Sequence, residues 1–150
     1  MASLVDTSLD NPEVIDAARA LAVSAGPRRP YYQALAIAGF LQRVWRFVDD
    51  PNDRDTLRDP VTLLREYANT GRIAGDCDEA AILGAALGRG IGLWAQFYVL
   101  GFASDDEPGP GRLQHVFAVL LTDDGRQVSL DVTRPAGPLP VPSRIVAMDV

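Results

Sequence analysis

The chain contains one cysteine and one histidine, so a Cys–His pair can be assembled in only one way, from Cys77 and His115. In such a pair the thiolate attacks a carbonyl carbon and the imidazole takes the thiol proton, with a carboxylate often orienting the ring. Cys77 lies in Gly75-Asp76-Cys77-Asp78-Glu79, which reads as the opening turn of a helix. His115 falls in a strand-like run from Leu113 to Leu121. A further strand-like run ends in Leu130-Asp131-Val132-Thr133. Nucleophile, base and orienting carboxylate thus follow one another as Cys77, His115 and Asp131, and the chemistry they would support is covalent acyl transfer through a thioester.

The surroundings of Cys77 pull in two directions. Asp76 can accept from the exposed N–H groups of Asp78 and Glu79, and Glu79 can reach back, giving an acidic version of the capping box. A helix N-terminus favours a thiolate through its unpaired N–H groups and dipole. Gly75 leaves room for a substrate, and the backbone N–H of Cys77 is a candidate oxyanion donor. Against this, Asp76, Asp78 and Glu79 all disfavour a nearby negative charge, which makes His115 a more necessary partner for the sulfur. Taken singly the three residues have plainer readings: a buried small hydrophobe, a strand histidine with a satisfied hydrogen bond, and a strand-ending aspartate. Their order and setting carry the catalytic expectation.

The His–Asp relation depends on hairpin register. If Asp123-Asp124-Gly125 form a three-residue loop with Gly125 left-handed, Thr122 faces Arg126. His115 then falls opposite Thr133 and Phe117 opposite Asp131. His115 and Asp131 become diagonal neighbours on one face, roughly 7–8 Å apart at the backbone. A two-residue Asp124-Gly125 turn would send Asp131 to the other face. The catalytic expectation therefore requires the three-residue loop or a compensating bulge.

Other elements must position these residues. The pattern predicts a helix from Asn11-Pro12-Glu13 to about Ser24, broken by Gly26-Pro27-Arg28-Arg29-Pro30, and a second from Tyr31 to about Phe47. Asp49 to Asp53 reads as a solvated loop. Asp59 caps and Pro60 opens a third helix that Gly71 ends. Asp76 to about Arg89 is the fourth; Ala81, Gly84, Ala85 and Gly88 give it a face of small residues, and Ile82, Leu83 and Leu87 make the rest apolar, so it should lie buried and close to a sheet. The glycines of Gly88-Arg89-Gly90-Ile91-Gly92 follow a helix rather than a strand, which makes them a helix ending and not a dinucleotide loop. Strands are expected at Leu93–Phe102, Leu113–Leu121 and Gln127–Val132, with an acidic Pro/Gly loop from Ser104 to Gly111. An irregular Pro-rich tail is expected from Pro135 to Pro142, and a short edge strand at Ile145–Met148. Helices first and antiparallel strands after give an α+β class in one domain spanning 1–150, with a core of about 30–135, an N-terminal helix within 1–26 and a Pro-rich tail in 135–150.

Composition narrows the partners. The 150 residues carry a net charge of −6, which disfavours nucleic acid or an anionic membrane as partner. No apolar stretch is long enough to span a bilayer, and the N-terminus lacks the pattern of a signal peptide. A lone Cys fits a reducing compartment, here expected to be cytoplasmic. All fourteen basic residues are Arg, so apart from its N-terminus the chain offers no amine for self-cross-linking. One His and one Cys lack the ligand count for a metal site, and no cofactor is expected.

Residues from about 60 to 135 resemble the transglutaminase-like superfamily. Gly75-Asp76-Cys77-Asp78-Glu79-Ala80 matches its G-x-C-x-x helix start, and Ala86-Leu87-Gly88-Arg89-Gly90-Ile91 its helix ending. His115-Val116-Phe117 stands where the family often has His-Ala-Trp, and Leu130-Asp131-Val132-Thr133 is similar to its L-D-P-T segment, with Val132 in place of Pro. The resemblance implies a papain-like α+β core: N-terminal helices packed on a C-terminal antiparallel sheet, the nucleophile on a buried central helix, Cys77 as nucleophile, His115 as base and Asp131 as orienter. It also implies an upstream side-chain donor for the oxyanion hole, with Gln33, Gln42 and Trp45 as candidates. Asp76 and Trp94 complete the residues expected near substrate, Trp94 as a core or pocket-wall residue. The stretch from Phe47 to Pro60 is similar to short transglutaminase-like proteins of bacteriophages, which implies a bacterial or phage-infected host. The implied substrate is a protein or peptide, and the acceptor water or an amine. Two other readings stand beside this one: an NlpC/P60-type peptidase, disfavoured by the Leu-Asp-Val-Thr segment and the missing secretion signal, and an inactive binding or assembly module working with phage structural proteins.

Overall fold

The computed structural model describes residues 1–48, 57–104, 107–132 and 144–150; for 102–104 and 107–114 it describes the backbone alone. The expected loop at Asp49–Asp53, the tail at Pro135–Pro142 and the partner position Thr133 lie outside the described residues.

The chain is mixed α+β. In order it forms α1 (Ala2–Ser8), α2 (Pro12–Ala25), α3 (Pro30–Val44), β1 (Trp45–Phe47), α4 (Pro60–Thr70), β2 (Ile73–Gly75), α5 (Cys77–Gly90), β3 (Trp94–Ser104), β4 (Glu107–Leu121), β5 (Gln127–Ser129) and β6 (Arg144–Asp149). β3 to β6 make an antiparallel sheet in the order β5-β4-β3-β6, while β1 and β2 pair in parallel.

Local chemistry sets most helix boundaries. The Asn11 side chain accepts from the Glu13 N–H at the head of α2, and Asp59 accepts from Val61 and Thr62 at the head of α4, each satisfying N–H groups that a helix start leaves unpaired. Gly71 closes α4 in the left-handed conformation, φ 73°. α1 was not expected from the pattern: its hydroxyl-bearing end, Thr7 and Ser8, bonds back onto the carbonyls of Ser3, Leu4 and Val5.

α5 lies at the centre. Residues Glu79 to Gly88 are all buried, as its lack of a polar face requires. Its glycines let it approach its neighbours. A Cβ at Gly84 would meet Leu130 and Leu41, and one at Gly88 would collide with Leu120. Alternation along the hairpin puts Val116, Ala118, Leu120, Val128 and Leu130 in the core beside α5.

Three expectations need correction. The second helix ends at Val44, not near Phe47; Trp45, Arg46 and Phe47 become β1, paired with Ile73, Ala74 and Gly75. The physical reason is the demand of the segment leading into α5 for backbone partners, which β1 supplies. The expected loop at Ser104–Gly111 is instead strand over its described residues: β3 runs on to Ser104, β4 begins at Glu107, and these two pair. The third correction concerns Glu79. Its carboxylate does not serve as the return arm of a capping box but is engaged by Arg58. The short strand near the C-terminus forms as expected, as β6 on the outer side of β3.

Candidate active site

The β4–β5 hairpin has the three-residue loop on which the His–Asp expectation depended. Thr122 N–H bonds the Arg126 carbonyl, Gly125 N–H bonds Thr122, and Gly125 has φ 79°. The register pairs Leu121 with Gln127, Leu120 with Val128 and Val119 with Ser129. β5 ends at Ser129 rather than near Val132; Leu130 N–H still reaches Ala118 O, and beyond it Asp131 turns toward His115. His115 Nε2 and Asp131 Oδ2 stand 2.9 Å apart.

That pair is sheltered: His115 is 8% exposed and the Asp131 side chain 13%. A carboxylate can only accept, so it selects the tautomer in which Nε2 carries the proton and donates. The basic lone pair is then on Nδ1, which makes no hydrogen bond among the described residues. The ring stacks on Phe117, which stacks on Tyr98. A register shift between Leu100 and Gly101 leaves Gln114 as an extra residue immediately before His115. Such bulges re-aim the neighbouring side chain.

Cys77 opens α5 behind its cap, with Asp76 accepting from the Asp78 and Glu79 N–H groups as the sequence predicted. Its sulfur meets the edge of β4. Val116, the residue after His115, directs its backbone N–H to Cys77 Sγ. Alternate residues of β4 bond toward β5; with Leu130 taking the slot at Ala118, the next slot is that of Val116. The sulfur thus meets the strand edge where β5 has peeled away. The thiol also donates weakly to Asp78 Oδ1 at 3.8 Å; no hydrogen bond links it to the His115 ring.

Burial pushes the Cys77 thiol up to about 11, and the charges of Asp78 and Asp76 add to the shift. The N–H groups of Val116 and of Cys77 itself oppose it. The tension foreseen between helix dipole and neighbouring acids is thus resolved in favour of the neutral thiol. At neutral pH the sulfur carries its proton, and only a base acting during attack could make it a nucleophile.

The remaining expected residues fall at different distances from this centre. Trp45 is buried beside the nucleophile turn, but its Nε1–H donates to the Gly75 carbonyl at 3.1 Å and is not free for an oxyanion. Gln33 spends its amide on the Gly26 carbonyl at the α2–α3 connection, and Gln42 stands exposed on α3. Trp94 is 70% exposed at the start of β3, paired with Leu121. His115 pairs with Leu100, six residues along the same strand, so Trp94 lies roughly 20 Å from it. Among the described residues no group of three His, Cys, Asp or Glu side chains could hold a metal.

Arg58 escaped the sequence reading, and with it the true partner of Glu79. Glu79 is 2% exposed, and Arg58 grips it through Nε, Nη2 and its backbone N–H. Arg58 also reaches Glu66 at 2.6 Å and the Ala74 carbonyl. The signal was available in part: an acid on a helix apolar nearly all round requires a cation partner. No helix among the described residues is long and apolar enough to cross a membrane. No protein-family model matches this chain, and no curated protein sequence does.

Proposed function

We propose that this chain is a transglutaminase-like thiol acyl-transfer enzyme acting on a peptide or carboxamide. The observation that carries the reading is the sheltered His115–Asp131 pair, beside which Val116, the residue after His115, directs its backbone N–H to the sulfur of Cys77 at a helix N-terminus. In the proposed reaction the thiol of Cys77 loses its proton to Nδ1 of His115 as Sγ bonds to the carbonyl carbon. The carbonyl electron pair moves onto oxygen, and the Cys77 N–H is placed to stabilise it. Collapse expels the amine, which takes the proton from His115, and leaves a thioester. Water or an amine, deprotonated by His115, then attacks the thioester and restores the thiol. Asp131 holds the ring and stabilises its charged form throughout. Because the resting thiol is neutral, the proton transfer accompanies attack rather than preceding it.

The test uses p-nitrophenyl acetate as a generic acyl donor at pH 7. An acetyl group on Cys77, read by intact-protein mass spectrometry, should form at least about 100-fold more slowly in His115→Ala, the usual scale of general-base assistance. Equal acylation rates in the two proteins would sink the enzyme reading. A second reading, a transglutaminase-like binding or assembly module with an idle triad, is favoured by one observation: the Cys77 sulfur bonds Asp78 and Val116 rather than the imidazole.

A further inference from the structure

Arg58 spans the nucleophile turn. One arm of its guanidinium fork holds the Ala74 carbonyl and Glu79 Oε2, its Nε holds Glu79 Oε1 at 2.6 Å, and the remaining arm holds Glu66 Oε2. Glu66 in turn accepts from Ala74 N–H at 3.0 Å. Gly75, inside this clamp, has its carbonyl bonded by both Trp45 Nε1 and Val48 N–H. A Cβ there would run into Glu79 Oε2 and stand 3.0 Å from the Trp45 ring and 3.1 Å from Arg58 Nη2. Both ends of the six-residue segment that contains Cys77, Ala74 at one and Glu79 at the other, are thus tied to one side chain. Lysine could not make these bonds, since it lacks the planar fork.

The clamp also sets charge. Asp76 and Asp78 flank Cys77 and act on its thiol, and Glu79 lies two residues on in the same turn; Arg58 and Glu66 reach that turn from the α4 side, and His115 and Asp131 stand in the hairpin. Glu79 is the most buried of the acids, so its charge is the least screened by solvent, and Arg58 neutralises it.

We infer that Arg58 is the positioning residue of the nucleophile turn, fixing its backbone and cancelling the Glu79 charge beside Cys77. The inference rests on the proposed role of Cys77 as nucleophile, but its test needs no substrate. Cys77 is the only cysteine, so iodoacetamide alkylation at pH 8 reports this thiol alone, through its thiolate fraction and its exposure. Arg58→Gln leaves the Glu79 charge uncompensated and should slow alkylation about three- to tenfold, which corresponds to half to one pH unit in the thiol. Glu79→Gln removes an acid from the turn while Arg58 keeps its ion pair with Glu66, and should accelerate it by a similar factor. The double variant should return near the wild-type rate, and Arg58→Lys should fall between wild type and Arg58→Gln.

A clamp with a merely structural role gives another pattern: every variant loosens the turn, exposes the sulfur and speeds alkylation. Shifts of the same sign in Arg58→Gln and Glu79→Gln, or no shift in either, overturn the inference. Circular dichroism accompanies each variant. If Arg58→Gln does not fold, the comparison of Arg58→Lys (slower) with Glu79→Gln (faster) decides. The acylation rate of His115→Ala is a separate arm. If that rate is unchanged while the charge arms move in opposite directions, the enzyme reading fails and the Arg58 effect on the thiol stands.

Discussion

Replacing Gly88 by Ala tests whether the closeness of α5 to the sheet is what the small-residue face is for. A Cβ at Gly88 would fall inside contact distance of Leu120 Cδ2 and stand 3.0 Å and 3.1 Å from Cδ1 and Cγ. Leu120 is fully buried, so its side chain has no open space into which to turn. Overpacking of this kind costs about 1–3 kcal/mol, and the better helix propensity of Ala returns about 1 kcal/mol. With three atoms of one side chain crowded, the net loss should be about 1–2 kcal/mol. For a chain of this length that is a fall of about 2–8 °C in Tm, read by differential scanning calorimetry. Leu120→Ala alone should cost about 2–5 kcal/mol through its cavity. The double variant should be more stable than the sum of the singles predicts, because the new methyl enters the vacated space. A raised Tm for Gly88→Ala, or strict additivity in the cycle, would refute the claim that α5 and β4 touch here through glycine.

Two further outcomes concern the site. Asp131→Ala strands the Nε2–H of a buried His115, so urea denaturation should show a loss of about 1–3 kcal/mol; Asp131→Asn keeps an acceptor and should lose less, and equal losses would argue against the 2.9 Å bond. The Cys77 thiol makes stability depend on pH in a defined direction. It ionises near 8.5 in an unfolded chain and near about 11 in the folded protein, so the folded state holds more protons between those values. Stability is fully present below about pH 8.5 and declines as pH rises toward 11. The Tm of wild type relative to Cys77→Ala should therefore fall between pH 8 and pH 10; a constant difference would contradict the buried neutral thiol.

What the sequence makes legible here is what short-range chemistry decides. The loop Asp123-Asp124-Gly125 fixes a register by the conformational freedom of one glycine; that register holds as far as Leu130, from which Asp131 turns to His115. Asp76 announces α5 in the same local way. The end of α3 was not legible, because Trp45-Arg46-Phe47 suits a helix or a strand equally; what decides is a partner strand reached only at Ile73. The Arg58–Glu79 pair, 21 residues apart, has no spacing rule to reveal it. The thiol shift depends on burial, and burial is a property of the packed molecule. The catalytic use of the triad is the proposal set out above.

The two halves of the candidate site have different chain separations. His115 and Asp131 are 16 residues apart and belong to one hairpin, whereas Cys77 and Val116 are 39 residues apart and meet only when α5 docks. Closing the longer loop costs roughly 0.8 kcal/mol more in chain entropy, and it also requires the helix to bury its whole circumference. The imidazole–carboxylate half is therefore assembled by a local event and the sulfur is delivered by a global one. A molecule whose central helix has come away presents a cysteine released from burial, the largest of the causes that hold its thiol neutral, although Asp76 and Asp78 still flank it, so the thiol is most open to oxidation or alkylation when the helix has left the sheet.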